Sequence, residues 1–245
     1  MTALLAALIL AAPVELVVDA AVSLRESFGA LAQRFEKQHS GVRVRLDLAG
    51  SQELRTQIEH GAKADVFASA DMRHLHALHR AGLAEAPRVF ARNELALVVP
   101  RHNPGRIARF EDLIAAKRIV LAAPEVPAGV YADEILAKGA AELGPEFRRQ
   151  VLGRVVSREL NVRQVLTKVA LGEADAGIVY RTDIAAGGDR VTTVPIPASL
   201  NVAAEYPVAA LANAPQPELA REFVRFVLSA EGQSILRGAG FLPPP

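Results

Sequence analysis

The sequence predicts an α/β protein built on open sheets, and two observations carry that reading. Short β-like apolar runs alternate with stretches at helical spacing along the whole chain, as in sheets covered by helices on both faces. In addition, small residues mark four points where a predicted strand hands over to a predicted helix: residues 21–24, 49–52, 126–129 and 159–162. In open α/β sheets ligands bind at that junction. A helix start offers free N–H groups and a partial positive charge. Four of them aimed at one point would hold a compact anion without any Arg or Lys.

The elements follow in order. Leu16, Val17 and Val18 read as the first strand. Leu24, Phe28, Leu31 and Phe35 come next at 4-3-4 spacing, one face of a helix. Val42, Val44, Leu46 and Leu48 alternate as a strand does, and Leu54, Ile58 and Ala62 mark the next helix. Residues 65–68 form a short strand. Asp71 has the type and place of an N-cap for a helix that Gly82 ends. Residues 95–99 form an apolar strand stopped by Pro100. The second half repeats the style, with a strand at 119–122, a helix at 129–138 and a short strand at Val155 and Val156. A helix over 162–171 places Val165, Leu166 and Val169 on one face. Strands at 178–180 and 208–211 and a C-terminal helix faced by Leu219, Phe223, Phe226 and Val227 complete the pattern.

Composition narrows the function. The 245 residues are 51% hydrophobic, enough for a sizeable core in one or two domains. Basic residues number 28 and acidic residues 27, a net charge of +1, so there is no electrostatic case for nucleic-acid binding. The chain has no cysteine, which removes disulfides, thiolate metal sites, a cysteine nucleophile and a lipid-modified N-terminal cysteine. Residues 1–12, MTALLAALILAA, are uncharged and too short for the roughly 20 residues of a membrane span. They resemble the apolar core of a secretory signal, with Ala11 and Ala12 near the cut, although the usual basic start is missing. Export is the expectation, and a buried first strand or helix the alternative. No Gly-x-Ser-x-Gly elbow, phosphate-binding Gly-rich loop or His-Glu-x-x-His motif occurs, so no catalysis is predicted. His74, His76 and His79 invite a metal reading, but their polar, Arg-rich helix points to a solvated face.

Taken singly, the junction residues are ambiguous. Ser23, Ser51 and Asn161 are all good N-caps by type. Ala128 cannot cap by its side chain; Pro127, Ala128 and Gly129 read either as an ordinary turn or as a place where something approaches the backbone closely. Val162 would matter only through its N–H. Tyr180 ends a strand and reads either as a half-buried aromatic or as a site hydroxyl.

Together these stretches are more specific. AAVSL (20–24), AGSQELRTQIEHGAKADVFASAD (49–71), PEVPAGVYA (124–132), NVRQVL (161–166), GEADAGIVYRTD (172–183) and EYPVA (205–209) resemble the periplasmic molybdate-binding proteins of ABC transporters, over residues 14–242. SAEGQ (229–233) is similar to a C-terminal helix signature of binding proteins more broadly. The resemblance implies a type II periplasmic-binding-protein fold: two α/β lobes with mixed open sheets, joined by a hinge, with the ligand cleft between them. Matched one by one, the family's ligand contacts fall on Ser23, Ser51, Ala128, Val162 and Tyr180, through hydroxyls and backbone N–H groups. It further implies high-affinity extracytoplasmic binding of molybdate or tungstate, with no cofactor, no metal-cation ligands and no catalysis. The protein would be a soluble periplasmic monomer without a lipid anchor, delivering its ligand to an ABC transporter membrane permease. Sulfate or another oxyanion is the alternative ligand. Two departures stand out. Val22 replaces an alanine, and Gln52 and Glu53 replace small residues. Glu53 is expected along the helix exterior, because a carboxylate near a dianion would repel it. Residues 93–99 and 206–211 both read as strands able to cross between lobes. The expected lobes are therefore 13–92 plus 206–245, and 93–205, after a signal remnant at 1–12.

Overall fold

A computed structural model describes residues 12–245. The predicted signal segment, but for its last residue, lies outside the described residues.

The first sheet region grows from β1 (Val14–Ala21), which pairs in parallel with β2 (Val42–Ala49) on one side and β3 (Val66–Ala68) on the other. Successive strand residues face opposite ways. Leu16, Val18 and Ala20 join the core that holds Phe28, Leu31 and Phe35 of α1 (Arg25–Gln38). Val17 and Phe67 turn to the other face, against Leu54 and Ile58 of α2 (Ser51–Glu59) and Leu75 and Leu78 of α3 (Met72–Arg80). The predicted 4-3-4 stripe is thus the buried face of α1. Asp71 caps α3 by accepting the His74 N–H at 3.3 Å, and Gly82, at φ 72°, follows its end.

A long strand, β4 (Arg88–Pro100), joins two regions of sheet. From Arg88 to Glu94 it pairs antiparallel with β9 (Ala203–Ala210), which also pairs with β3. From Leu95 onward it pairs with β7 (Ala176–Tyr180) and β8 (Val191–Val194). β5 (Ile119–Ala122) then lies parallel between β7 and β6 (Val155–Glu159). Where β4 changes partners, Asn201 substitutes for a strand. Its side chain accepts the Leu95 N–H at 3.2 Å and donates to the Leu95 carbonyl at 3.0 Å.

Helices cover both regions. α4 (Pro127–Leu143), α5 (Pro145–Leu152), α6 (Val162–Ala170) and the short α7 (Ile184–Gly187) belong to the second. Gly177 lets α6 lie close on β7; a Cβ there would meet Val165 at 2.9 Å. On the first region α8 (Pro217–Leu228) and α9 (Ala230–Gly238) join α1. Phe223 stands edge-on to Phe28 and Phe35, ring centroids 6.2 and 5.1 Å away.

The sheets are mixed, whereas strand–helix alternation alone suggests parallel ones. β9 runs antiparallel to both of its neighbours, β3 and β4, and β4 runs antiparallel to β7 and β8 as well. α4 starts at Pro127, two residues before the predicted start, since proline is preorganised for the first helical position. α5 and β8 have no counterpart in the predicted pattern. α5 is eight residues long and opened by Pro145 directly after Gly144. β8 is four residues long with both threonines exposed.

Candidate functional site

The four junctions meet. β1, β2, β5 and β6 all end at one cavity of about 210 Å³, counting its opening. Ser23, Ser51, Ala128, Val162 and Tyr180 all line it, with Val22, Gly50, Pro127, Asn161 and other small residues between them. No charged side chain lines it.

The two serines do not cap helices. Ser23 sits in a 3-10 turn between β1 and α1 that has no side-chain cap, and its Oγ lies 3.2 Å from the hydroxyl of Tyr206. Ser51 opens α2, and its Oγ accepts the Ala70 N–H at 3.1 Å. Both side chains are buried. Capping falls to other residues. Asn161 accepts the Gln164 N–H at 3.1 Å. Glu53 folds back to accept the Gly50 N–H at 2.9 Å, while its own N–H bonds the Gly50 carbonyl at 3.0 Å. Glu53 is half-exposed and does not line the cavity, and its carboxylate is occupied by a backbone donor, which an N3 glutamate reaches readily.

The helix starts supply free donors. Ala128 is the second residue of α4 and Val162 the first of α6. Neither N–H has a hydrogen-bond acceptor among the described residues. Such N–H groups need an external partner. Gly129 is required by the protein itself: a Cβ there would stand 2.0 Å from the Ala123 carbonyl oxygen. Gly50 is similar, with the Leu160 carbonyl 2.7 Å from its virtual Cβ. These close approaches bring backbone segments together and so bring the helix starts to the cavity.

Tyr180 closes the set. It is 1% exposed, and its hydroxyl has no hydrogen-bond partner among the described residues. Burial, with the neighbouring Tyr206 and Tyr131 next, holds its pKa well above the ordinary phenol value, so it remains an O–H donor. A buried hydroxyl without a partner costs about 1–3 kcal/mol, and Tyr180 stands on the cavity wall.

Contacts cross the cleft around this cavity. Gln52 Nε2 donates to the Leu160 carbonyl at 2.7 Å. Arg163, adjacent to Val162, turns away from the cavity. It bonds Asp183 at 2.7 Å and grips Glu26 of α1 with two bonds of 3.0 and 2.5 Å. His74 is not on a solvated face. It is 5% exposed, and its Nε2 bonds the Glu125 carbonyl at 3.2 Å across the cleft. Burial lowers its pKa, so it is neutral. His76 and His79 are exposed, and among the described residues no group of three or more His, Cys, Asp and Glu could hold a metal ion.

Two residues here, Ala70 and Tyr206, were not among the predicted site residues. Tyr206 lay inside the EYPVA match, but nothing in its local pattern points to a hydroxyl 183 residues away in sequence.

The chain has recognisable relatives among known proteins. The family model described as bacterial extracellular solute-binding protein matches residues 16–242. The molybdate-binding protein ModA of Mycobacterium tuberculosis is 39% identical over 231 residues, spanning 94% of this chain and 85% of that protein. Among solved structures, the periplasmic molybdate-binding protein of Azotobacter vinelandii aligns with a TM-score of 0.80 at 24% identity, covering 94% of this chain and all of that one. The sulfate-binding protein SubI of M. tuberculosis aligns at 0.84 with 20% identity, covering 94% and 87%. At such identities the structural matches establish the fold, which is that of the type II periplasmic binding proteins. On the family match and the 39% identity, the chain belongs to the bacterial extracellular solute-binding proteins and is a relative of the ModA molybdate-binding proteins.

Proposed function

We propose that this protein binds molybdate, and tungstate equally by size, between its lobes and delivers it to an ABC transporter membrane permease. The observation that carries this reading is a cavity lined by hydroxyl and backbone N–H donors with no charged acceptor among the described residues. Three buried hydroxyls (Ser23, Ser51 and Tyr180) and the N–H groups of Ala128 and Val162 surround it, and no carboxylate lines it. Hydrogen bonds to a charged group contribute roughly 1.5–3 kcal/mol each before ordering costs. The low dielectric of a closed cleft strengthens them. A fully ionised tetrahedral dianion accepts everywhere and suits such a site. Hydrogenphosphate carries a proton that needs an acceptor. Sulfate is smaller and reaches fewer donors at once.

The 39% identity to a protein named for molybdate favours molybdate over sulfate. The lobes we assign are 13–92 plus 206–245, and 93–205, supported by the partner change of β4 at Glu94 and Leu95. In this reading the protein is an exported, periplasmic monomer, has no catalytic activity, and needs no cofactor or nucleic acid.

A thermal melt with each anion at matched ionic strength tests the assignment. Ligand at 1,000 times its dissociation constant adds about 4 kcal/mol. Melting should therefore rise by on the order of 10 °C with molybdate or tungstate, and little with sulfate or phosphate. A larger shift with sulfate would replace the ligand and keep the site. No shift with any oxyanion would remove both.

A further inference from the structure

We propose that Tyr206 is a positioning residue that makes Ser23 a hydrogen-bond donor toward the cavity and so helps exclude protonated oxyanions. The inference rests on the oxyanion reading above and adds a specificity element to it.

The geometry is simple. Tyr206 is fully buried on β9, opposite Ala91 of β4, and its hydroxyl lies 3.2 Å from Ser23 Oγ. Its ring is fixed by three others: Phe90, Tyr180 and Phe241, with centroids 6.3, 5.5 and 5.4 Å away and interplanar angles of 78°, 67° and 79°. The ring, and with it the oxygen, cannot shift without moving that cage. Two hydroxyls that share one hydrogen bond have two protons between them. If Ser23 gave its proton to Tyr206, the serine would turn only lone pairs to the cavity, and the tyrosine proton would be left to Asn93, whose Oδ1 already accepts the Glu94 N–H and whose amide donates to Thr182. If Tyr206 gives its proton to Ser23, the serine proton is free to point at the ligand. With an anion in the cavity, the second arrangement gives the tyrosine proton to Ser23 and the serine proton to the ligand, whereas the first turns serine lone pairs on the anion.

Burial first, then the buried Asp183, hold the Tyr206 hydroxyl well above its ordinary pKa, against the opposing effect of Ser23 and Asn93. It therefore remains a donor. Ser51 is placed the same way by a different group, since its oxygen accepts the Ala70 N–H. Each serine oxygen is thus already engaged by a protein donor, which orients its proton outward. A ligand carrying a proton of its own, such as hydrogenphosphate, competes with those donors for the serine oxygens.

Calorimetry with molybdate and with phosphate on four proteins tests this: wild type, Tyr206→Phe, Ser23→Ala and the double variant. Wild type binding molybdate establishes the underlying reading; failure there removes that reading rather than this one. Given wild-type binding, Tyr206→Phe should weaken molybdate about 5- to 10-fold when Ser23 is present, and less than about twofold in the Ser23→Ala background. The molybdate-over-phosphate preference should narrow in Tyr206→Phe. Replacement of Tyr206 by 4-aminophenylalanine keeps a donor at the same place and should hold affinity within about threefold of wild type. Replacement by 4-methoxyphenylalanine keeps the oxygen without a proton and should not. These two also serve if the phenylalanine variant folds poorly. Equal losses in both Ser23 backgrounds, unchanged affinity in Tyr206→Phe, or equal affinity of the amino and methoxy variants would each overturn the proposal.

Discussion

At the scale of single residues, hydroxyls and buried carboxylates have separable consequences. Ser51→Ala removes a cavity donor and also the acceptor of the Ala70 N–H. Molybdate affinity should fall by roughly 1.5–3 kcal/mol by calorimetry, the range for a hydrogen bond to a charged group. Tyr180→Phe removes a hydroxyl that bonds nothing among the described residues, so it should lose affinity while the unliganded protein melts no earlier. A variant that binds normally would take Tyr180 out of the site. Asp19 gives a test at a residue that does not line the cavity. It is 4% exposed on β1, opposite Asp47 on β2. Burial first and Asp47 second push its pKa up from 3.8 to about 7, against Arg45. The folded state thus holds this proton more tightly than the unfolded state. Stability from this residue is present at low pH and is lost as pH rises from about 4 through 7. Asp19→Asn removes the ionisation. At pH 8 it should exceed the wild type in denaturant unfolding by on the order of 2 kcal/mol, with the gap closing toward pH 4. A constant gap across that range would assign Asp19 a different role.

At the scale of elements, the helix starts carry the site, and small residues decide where they sit. Gly129→Ala places a Cβ 2.0 Å from the Ala123 carbonyl and 2.7 Å from that of Ala122. Backbone cannot yield as a flexible side chain does. The start of α4 must move away from the end of β5, carrying the Ala128 N–H with it. The expected result is destabilisation of about 1–3 kcal/mol or more together with lost molybdate affinity. Stability lost with affinity retained would mean that the Ala128 N–H does not touch the ligand. The same elements mark how far the sequence could be read. Helix faces such as Phe28, Leu31 and Phe35 were legible because local periodicity fixes them. The four junctions were legible because a small residue after a strand and before an apolar stripe is a local signal. Which serine caps and which faces a cavity was not legible, since both need the same residue type before a helix. The answer depended on Tyr206 and Ala70, distant in sequence. His74 was misplaced for the same reason, as its burial comes from Glu125 across the cleft. Gly129 was flagged correctly as a point of close approach, but the approaching group is a carbonyl of the chain itself.

At the scale of the whole molecule, Arg163 ties the two regions together beside the cavity. Its partners differ in exposure: Asp183 is fully buried, whereas the Glu26 side chain is 59% exposed. Glu26→Gln should therefore leave folding nearly unchanged, at up to about 1 kcal/mol, and speed ligand release in stopped-flow measurements by no more than about fivefold. Arg163→Gln leaves a buried carboxylate alone, which costs about 3–5 kcal/mol. Burial already raises the Asp183 pKa to about 7 against the pull of Arg163. Without the arginine the folded state holds that proton more firmly still, so the penalty should shrink as pH falls below 7 and grow above it. Denaturant unfolding at pH 6 and pH 8 reads the difference; equal penalties at both would mean Asp183 stays ionised throughout. The placing of β9 has another consequence, for the order in which the chain can fold. β9 is the strand between β3 and β4, and α8 brings Phe223 and Phe226 against Phe35. A chain growing from its N-terminus therefore finishes β4 through β8, residues 88–194, before the first region receives its central strand. That region's early half, β1 to α3, must wait with Val66, Phe67 and Ala68 unpaired on one edge until the last 43 residues, 203–245, emerge. The segment made first is completed last, and truncation near residue 200 should leave a protease-resistant second region beside an N-terminal segment that is cut.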